Sequence, residues 1–195
     1  LANWIVTEDV LVESGGTLGN PSHTGDYSFG SLTIASGGIY QATQGTTTIT
    51  GKTSGLALDN AGTFTHNNGT MKFTDNDYVT VKNNIFYNVI LNTTGGTYAV
   101  LFQDTSGDNV TILNNLEIIR GDFELSTAGD TLDIYGKTIL NSGTGNTGAR
   151  FNNDKDQTGT ITHHGLVEII SGTYHVEDGG TVNMAGIRNV GGLVD

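Results

Sequence analysis

The sequence contains no cysteine, a single proline, and only eight lysines and arginines among 195 residues. Without cysteine there is no disulfide scaffold. Eight cations against twenty acidic residues leave a formal net charge of −12. Such a chain cannot present the basic patch that neutralises phosphates, which argues against nucleic acid and against anionic membranes as partners. No apolar stretch approaches the roughly 18 residues that span a bilayer, so no membrane insertion is expected. The longest, such as Tyr98 to Phe102, are of strand length. Runs of Ala, Leu, Glu and Lys at helical spacing are missing too, so almost no helix is expected. The chain opens at Leu1 with neither a methionine nor a signal-type apolar segment, as a processed piece of a longer protein would.

What is abundant points one way. There are 29 glycines, and Thr, Asn and Asp make up most of the polar remainder. Val, Ile, Thr, Tyr and Phe dominate the apolar and β-branched positions, and these residues fit a pleated, half-buried surface. The same phrase also recurs. Val10-Leu-Val-Glu-Ser-Gly-Gly-Thr-Leu18 matches Leu32-Thr-Ile-Ala-Ser-Gly-Gly-Ile-Tyr40 at an offset of 22 residues. It returns as Leu116-Glu-Ile-Ile-Arg-Gly-Asp-Phe123 and as Val167-Glu-Ile-Ile-Ser-Gly-Thr-Tyr174. Ile49-Thr-Gly-Lys-Thr53 matches Ile134-Tyr-Gly-Lys-Thr138, and Gly62-Thr-Phe-Thr-His-Asn-Asn-Gly69 resembles Gly159-Thr-Ile-Thr-His-His-Gly165.

Each unit reads as a short strand of alternating faces, a Gly corner and another strand. A whole unit recurring near 22 residues predicts an all-β, right-handed parallel β-solenoid (β-helix) with short strands and Gly/Asn corners. The alternative is an antiparallel β-sandwich or jelly-roll, in which Asn68-Gly69, Gly95-Gly96 and Gly179-Gly180 would form hairpin turns. Residues 1–30 are assigned to an N-terminal cap or attachment segment with the first coil. Residues 31–195 form the repetitive solenoid, interrupted by a polar loop at about 141–158. Stacked side chains of Asn83-Asn84, Asn114-Asn115 and Asn152-Asn153 are candidates for amide ladders between coils.

Residues with chemical potential are few. His163 and His164 are adjacent on a strand, so at most one can join a given site, and His66 matches His163 in the repeat. No Asp or Glu stands at a zinc-ligand spacing from them. Oxygen-rich clusters make Asp75 with Asp77, Asp104 with Asp108, and Asp154 with Asp156 the candidates for Ca²⁺, although none fits a known calcium loop; no other metal or cofactor is expected. The cations are scattered, with Lys52 and Lys137 at matching repeat positions. That pattern suits a repeated surface role better than a lyase base, and no enzymatic activity is expected. Gly51-Lys-Thr53 lacks the glycine and the helix of a phosphate-binding loop. Thr-rich strands such as Thr46 to Thr50 raise an ice-binding face, but Thr-x-Thr copies look too dispersed along the chain to form one. The aromatics fit core positions, except that Phe86-Tyr87 must turn one ring outward. The loop supplies the preferred contact surface, with Asn146, Arg150, Asn152, Asn153 and Lys155 as its candidate residues.

The run from Leu32 to Tyr40, through Thr46 to Thr50, to Gly62-Thr-Phe-Thr-His-Asn-Asn-Gly-Thr-Met-Lys-Phe73 and Phe86-Tyr-Asn-Val-Ile-Leu91 resembles repetitive β-rich proteins of marine bacteriophages. Similar repeats occur in secreted bacterial surface proteins of the filamentous-haemagglutinin kind. The likeness covers roughly residues 29–192. It implies an extracellular structural protein at a virion or cell surface: a phage fibre or a capsid or tail decoration element, in a homo-oligomer or against a neighbouring structural protein. Such a protein would show a polar surface to a host or glycan. An adhesin or self-assembling filament subunit is the alternative, and a polysaccharide-active enzyme the second alternative. The shared motifs carry no catalytic residues.

Overall fold

The computed structural model describes residues 2–51, 57–74, 79–80, 84–93, 100–102, 107, 109–125, 129–143, 149–153, 159–176 and 180–195. Among these residues there is no helix, and every strand pairing is parallel. Parallel neighbours cannot be joined by tight hairpins, and here each chain segment passes to a different face before returning one level along. The chain is a β-solenoid with three faces.

The first face is a ladder of nine strands: Trp4–Ile5, Tyr27–Phe29, Thr46–Ile49, Thr70–Phe73, Asn88–Asn92, the start of Leu116–Leu125, Thr138–Asn141, and the later parts of Thr160–Ser171 and Thr181–Asn189. The second face begins with Asp9–Val12, Ser31–Ile34 and Leu58–Asn60. It continues from Val79–Thr80 through Val100–Phe102, the end of Leu116–Leu125, Ala149–Asn153 and Thr173–Val176 to Leu193–Val194. The third comprises Thr17–Gly19, Ile39–Gln41 and Thr63–Thr65, then Asn84–Phe86, Asn109–Ile112, Thr131–Ile134 and the starts of Thr160–Ser171 and Thr181–Asn189.

Strict alternation within each strand decides what lies inside. On the first face one inward column runs Tyr27, Thr47, Met71, Val89, Leu116, Thr138, Val167, and a second runs Phe29, Ile49, Phe73, Leu91, Ile118, Leu140, Ile169. All fourteen are buried. Each fully buried Leu, Ile or Phe contributes about 1.5–3 kcal/mol through removal of apolar surface from water. Stacked aromatics fill part of the interior: Phe151 lies face to face with Phe123 (5.3 Å) and Tyr174 (4.8 Å).

The expected repeat matches the register where it is strongest, since Val10 pairs with Leu32 and Leu18 with Tyr40. Leu116 and Val167 share a column two coils apart, joined through Thr138. Coil length is looser than a 22-residue period suggests, because Met71 pairs with Val89 and Asn141 with Ser171, a range of 18 to 30 residues. One sequence match and one hairpin reading do not survive. Ile49 ends a strand of the first face and Ile134 one of the third, so the Ile-x-Gly-Lys-Thr phrases are not equivalent in the fold. Asn67 and Asn68 take left-handed backbone (φ 48° and 62°) and turn the chain from third face to first, which makes a corner rather than a hairpin.

Not all strands are short. Leu116–Leu125, Thr160–Ser171 and Thr181–Asn189 run 10, 12 and 9 residues and carry their pairing round a corner. Gly165 sits at one such corner, where a Cβ would lie 1.9 Å from the Gly136 carbonyl oxygen. Only a residue without a side chain lets the two backbones approach this closely.

Amide ladders tie the corners. Asn60 Nδ2 donates to Asn84 Oδ1 (2.9 Å), and Asn114 Nδ2 donates to Asn88 Oδ1 (2.9 Å). The Asn115 backbone N–H also reaches Asn88 Oδ1, and Asn115 Oδ1 accepts from the Lys137 N–H (2.9 Å).

Candidate functional surface

The outward columns carry the chemistry. On the first face, Lys72, Ile90, Glu117, Ile139, Glu168 and Arg188 follow one another at successive levels. Glu168 is held from both sides, with its Oε1 2.9 Å from Arg188 Nη1 and its Oε2 3.7 Å from Lys137 Nζ. Both cations are well exposed, so the arrangement is a surface bridge of small energetic weight. Beside it a shallow depression of about 230 Å³ is lined by Thr70, Asn88, Ile90, Asn115, Glu117 and Ile139.

The third face is a hydroxyl and amide surface. One outward column runs Asn109, Thr131, Thr160, Thr181 and the next runs Thr111, Asp133, Thr162, Asn183. Thr131 Oγ1 donates to Asn109 Oδ1 within the first of these. Thr-x-Thr itself occurs in these columns once, at Thr160-Ile-Thr162, while Thr63-Phe-Thr65 lies coils away against Ile39 and Gln41, so the copies stay dispersed. The Thr46 to Thr50 run does not join the columns, for it lies on the first face with Lys72 beside Thr48. At the neighbouring corner the Tyr135 and His164 rings stack (4.3 Å, 8°), and His164 Nε2 lies 2.8 Å from Asp133 Oδ1. His66 stacks on Tyr87 in the same way (5.8 Å, 16°). Half-burial there lowers the His66 pKa. Tyr87 is the outward member of the Phe86-Tyr87 pair, while Phe86 is buried.

The two adjacent histidines separate as alternation requires. His164 is outward and His163 is buried in the core. His66, which matches His163 in sequence, lies just past the end of Thr63–Thr65 and stacks on Tyr87 at the corner instead of entering the core. His163 Nδ1 is 2.8 Å from Thr138 Oγ1 and its Nε2 is 2.9 Å from the Tyr174 hydroxyl. Burial lowers its pKa to about 4, with His164 adding to the effect, and burial likewise raises the Tyr174 phenol well above its ordinary value.

Asp75, Asp77, Asp104, Asp108, Asp154 and Asp156, the calcium candidates, lie outside the described residues, as do Asn146 and Lys155. Among the described residues no three His, Asp or Glu side chains come together as a metal site. Arg150, Asn152 and Asn153 do not belong to a loop. They lie in the strand Ala149–Asn153, pairing with the end of Leu116–Leu125 on one side and Thr173–Val176 on the other. The polar look of this stretch concealed Phe151, whose ring is fully buried and fixes the strand in the second face. The signal was the alternation Ala149-x-Phe151, with both residues buried.

No family model, curated protein or solved structure matches the chain.

Proposed function

We propose that this chain is a non-enzymatic structural module of a virion or cell surface, a fibre or decoration element that offers an ordered polar face to a glycan or host surface. The observation that supports this reading is the third face, where two columns of Thr, Asn and Asp keep register over four successive coils. A packed interior makes the module stiff, and the regular columns make its surface repeat at the strand spacing of about 4.8 Å. A stiff, repetitive and acidic rod suits display and spacing.

Cryo-electron microscopy of the native assembly in which the chain occurs, combined with glycan-array binding of the isolated chain, tests the reading. A closed oligomer on a capsid, tail or cell envelope is expected, with glycan binding weakened by Thr162→Lys. An open helical polymer would replace display by filament formation. Free monomers that cleave a polysaccharide would overturn the proposal in favour of an enzyme.

A further inference from the structure

We propose that His163 is an acid-sensitive lock on the C-terminal coils, whose protonation loosens the solenoid from Thr138 onward while the coils around Tyr40 stay closed. Its place in the fold carries the argument. Thr138 belongs to the first face, Tyr174 to the second and His163 to the third, so one imidazole joins all three walls through its two nitrogens. Phe151 packs against the ring at 5.2 Å, and Ile134 and Met184 are its neighbours along the column. A neutral imidazole offers one donor and one acceptor, and two hydroxyls complement it. An imidazolium has two donors and a charge. Both hydroxyls would then have to accept, and the charge would sit among apolar side chains.

No carboxylate among the described side chains faces the ring. On the strand below, Asp133 points outward to His164, and Asp130, at the start of that strand, takes the Gly107 N–H on its Oδ1. Lys137, Glu168 and Arg188 form their bridge on the outer surface of the first face. Arg150 precedes inward Phe151 and lies on the outward side of its strand, while His175 is bonded to Asp195 outside. Tyr174 is the titratable group that does face the ring, and burial keeps it neutral.

The N-terminal half is joined differently. Tyr40 Oη and Thr47 Oγ1, 2.9 Å apart and buried, link the third face to the first, and neither gains a proton in mild acid. Of the five histidines, His66 stacks against Tyr87 at a corner, and His23 stacks on Tyr27 in the first coils. His164 and His175 are on the surface. Only His163 bridges the walls.

Amide hydrogen exchange at about pH 8 and about pH 5, corrected for intrinsic rates, tests the lock. The opening equilibrium at Ile161, Ile169 and Tyr174 should rise about thirtyfold at the lower pH, near tenfold per pH unit below the ordinary histidine value. Ile34, Tyr40 and Ile49 should change far less. His163→Gln, which keeps a donor and an acceptor without titrating, should abolish the difference. Equal loosening of both halves, or an unchanged acid response in H163Q, would overturn the proposal. Should the variant fail to fold, the ring of His163 can be titrated by NMR in the unaltered chain. Protonation in step with exposed His164, with no loss of protection around it, would likewise overturn the lock.

Discussion

Phe151 has a ring on each side, Phe123 and Tyr174, and touches water nowhere. Truncating it to alanine removes two stacking contacts and leaves a cavity that rigid strands cannot close, so Phe151→Ala should cost about 3–5 kcal/mol by denaturant unfolding. Glu168→Gln should move the same midpoint by less than about 1 kcal/mol, because both of its cationic partners reach solvent. Two glycines make a sharper contrast. Gly15→Ala meets open space and costs only the left-handed backbone (φ 78°), about 1–2 kcal/mol. Gly165→Ala drives a Cβ into the Gly136 carbonyl and should lower the melting temperature well beyond that.

Acid acts on stability with a definite sign. His163 has a folded pKa of about 4 against 6.5 for a free imidazole, so the unfolded chain binds more protons in between. Its contribution is full above pH 6.5, erodes as pH falls and is gone by about pH 4, a loss of roughly 3 kcal/mol. Thermal unfolding across that range checks it. None of this chemistry was legible in the residue types. A His-His pair announces one inward and one outward ring but not which, nor that Thr138 and Tyr174 wait on the other two walls.

A single strand here is too short to be stable alone, and corners hold neighbours in register as much as ladders do. Asn88 shows how. Its Oδ1 takes both the Asn114 side chain and the Asn115 N–H, so Asn88→Ala leaves two donors unmatched at once. A loss of about 1–3 kcal/mol is expected, with faster amide exchange at Asn115 than at Leu91 as the local sign. Strands of this kind were readable from alternation and glycine corners, and Val10 with Leu32 gave the register outright. What alternation cannot supply is the identity of the wall. Ile49 and Ile134 sit in similar phrases on different faces because coil lengths differ, and only the accumulated count of corners tells them apart. The same ambiguity hid the columns of the third face, whose members are ordinary residues until four coils bring them side by side.

Stacked coils touch mainly their neighbours, so the protein should tolerate loss of one unit better than a domain with a single centre would. Val110 pairs with Leu132 and Asn109 with Thr131, so excising residues 110–131 joins Asn109 to Leu132 in the existing register. The shortened chain should keep its β-type circular dichroism and cooperative unfolding at a reduced temperature. Collapse to an unfolded chain would mean that the coils are not modular.

The spread in coil length has a further use. Strand pairing keeps its count of levels while corners absorb the difference, and the longest span runs from Asn141 to Ser171. A foreign peptide spliced between Asn141 and Ala149 would lengthen that span without moving a core side chain. Copies of the rod would then carry the graft at one fixed height along the axis. The corners are, in effect, numbered attachment points on a molecular ruler.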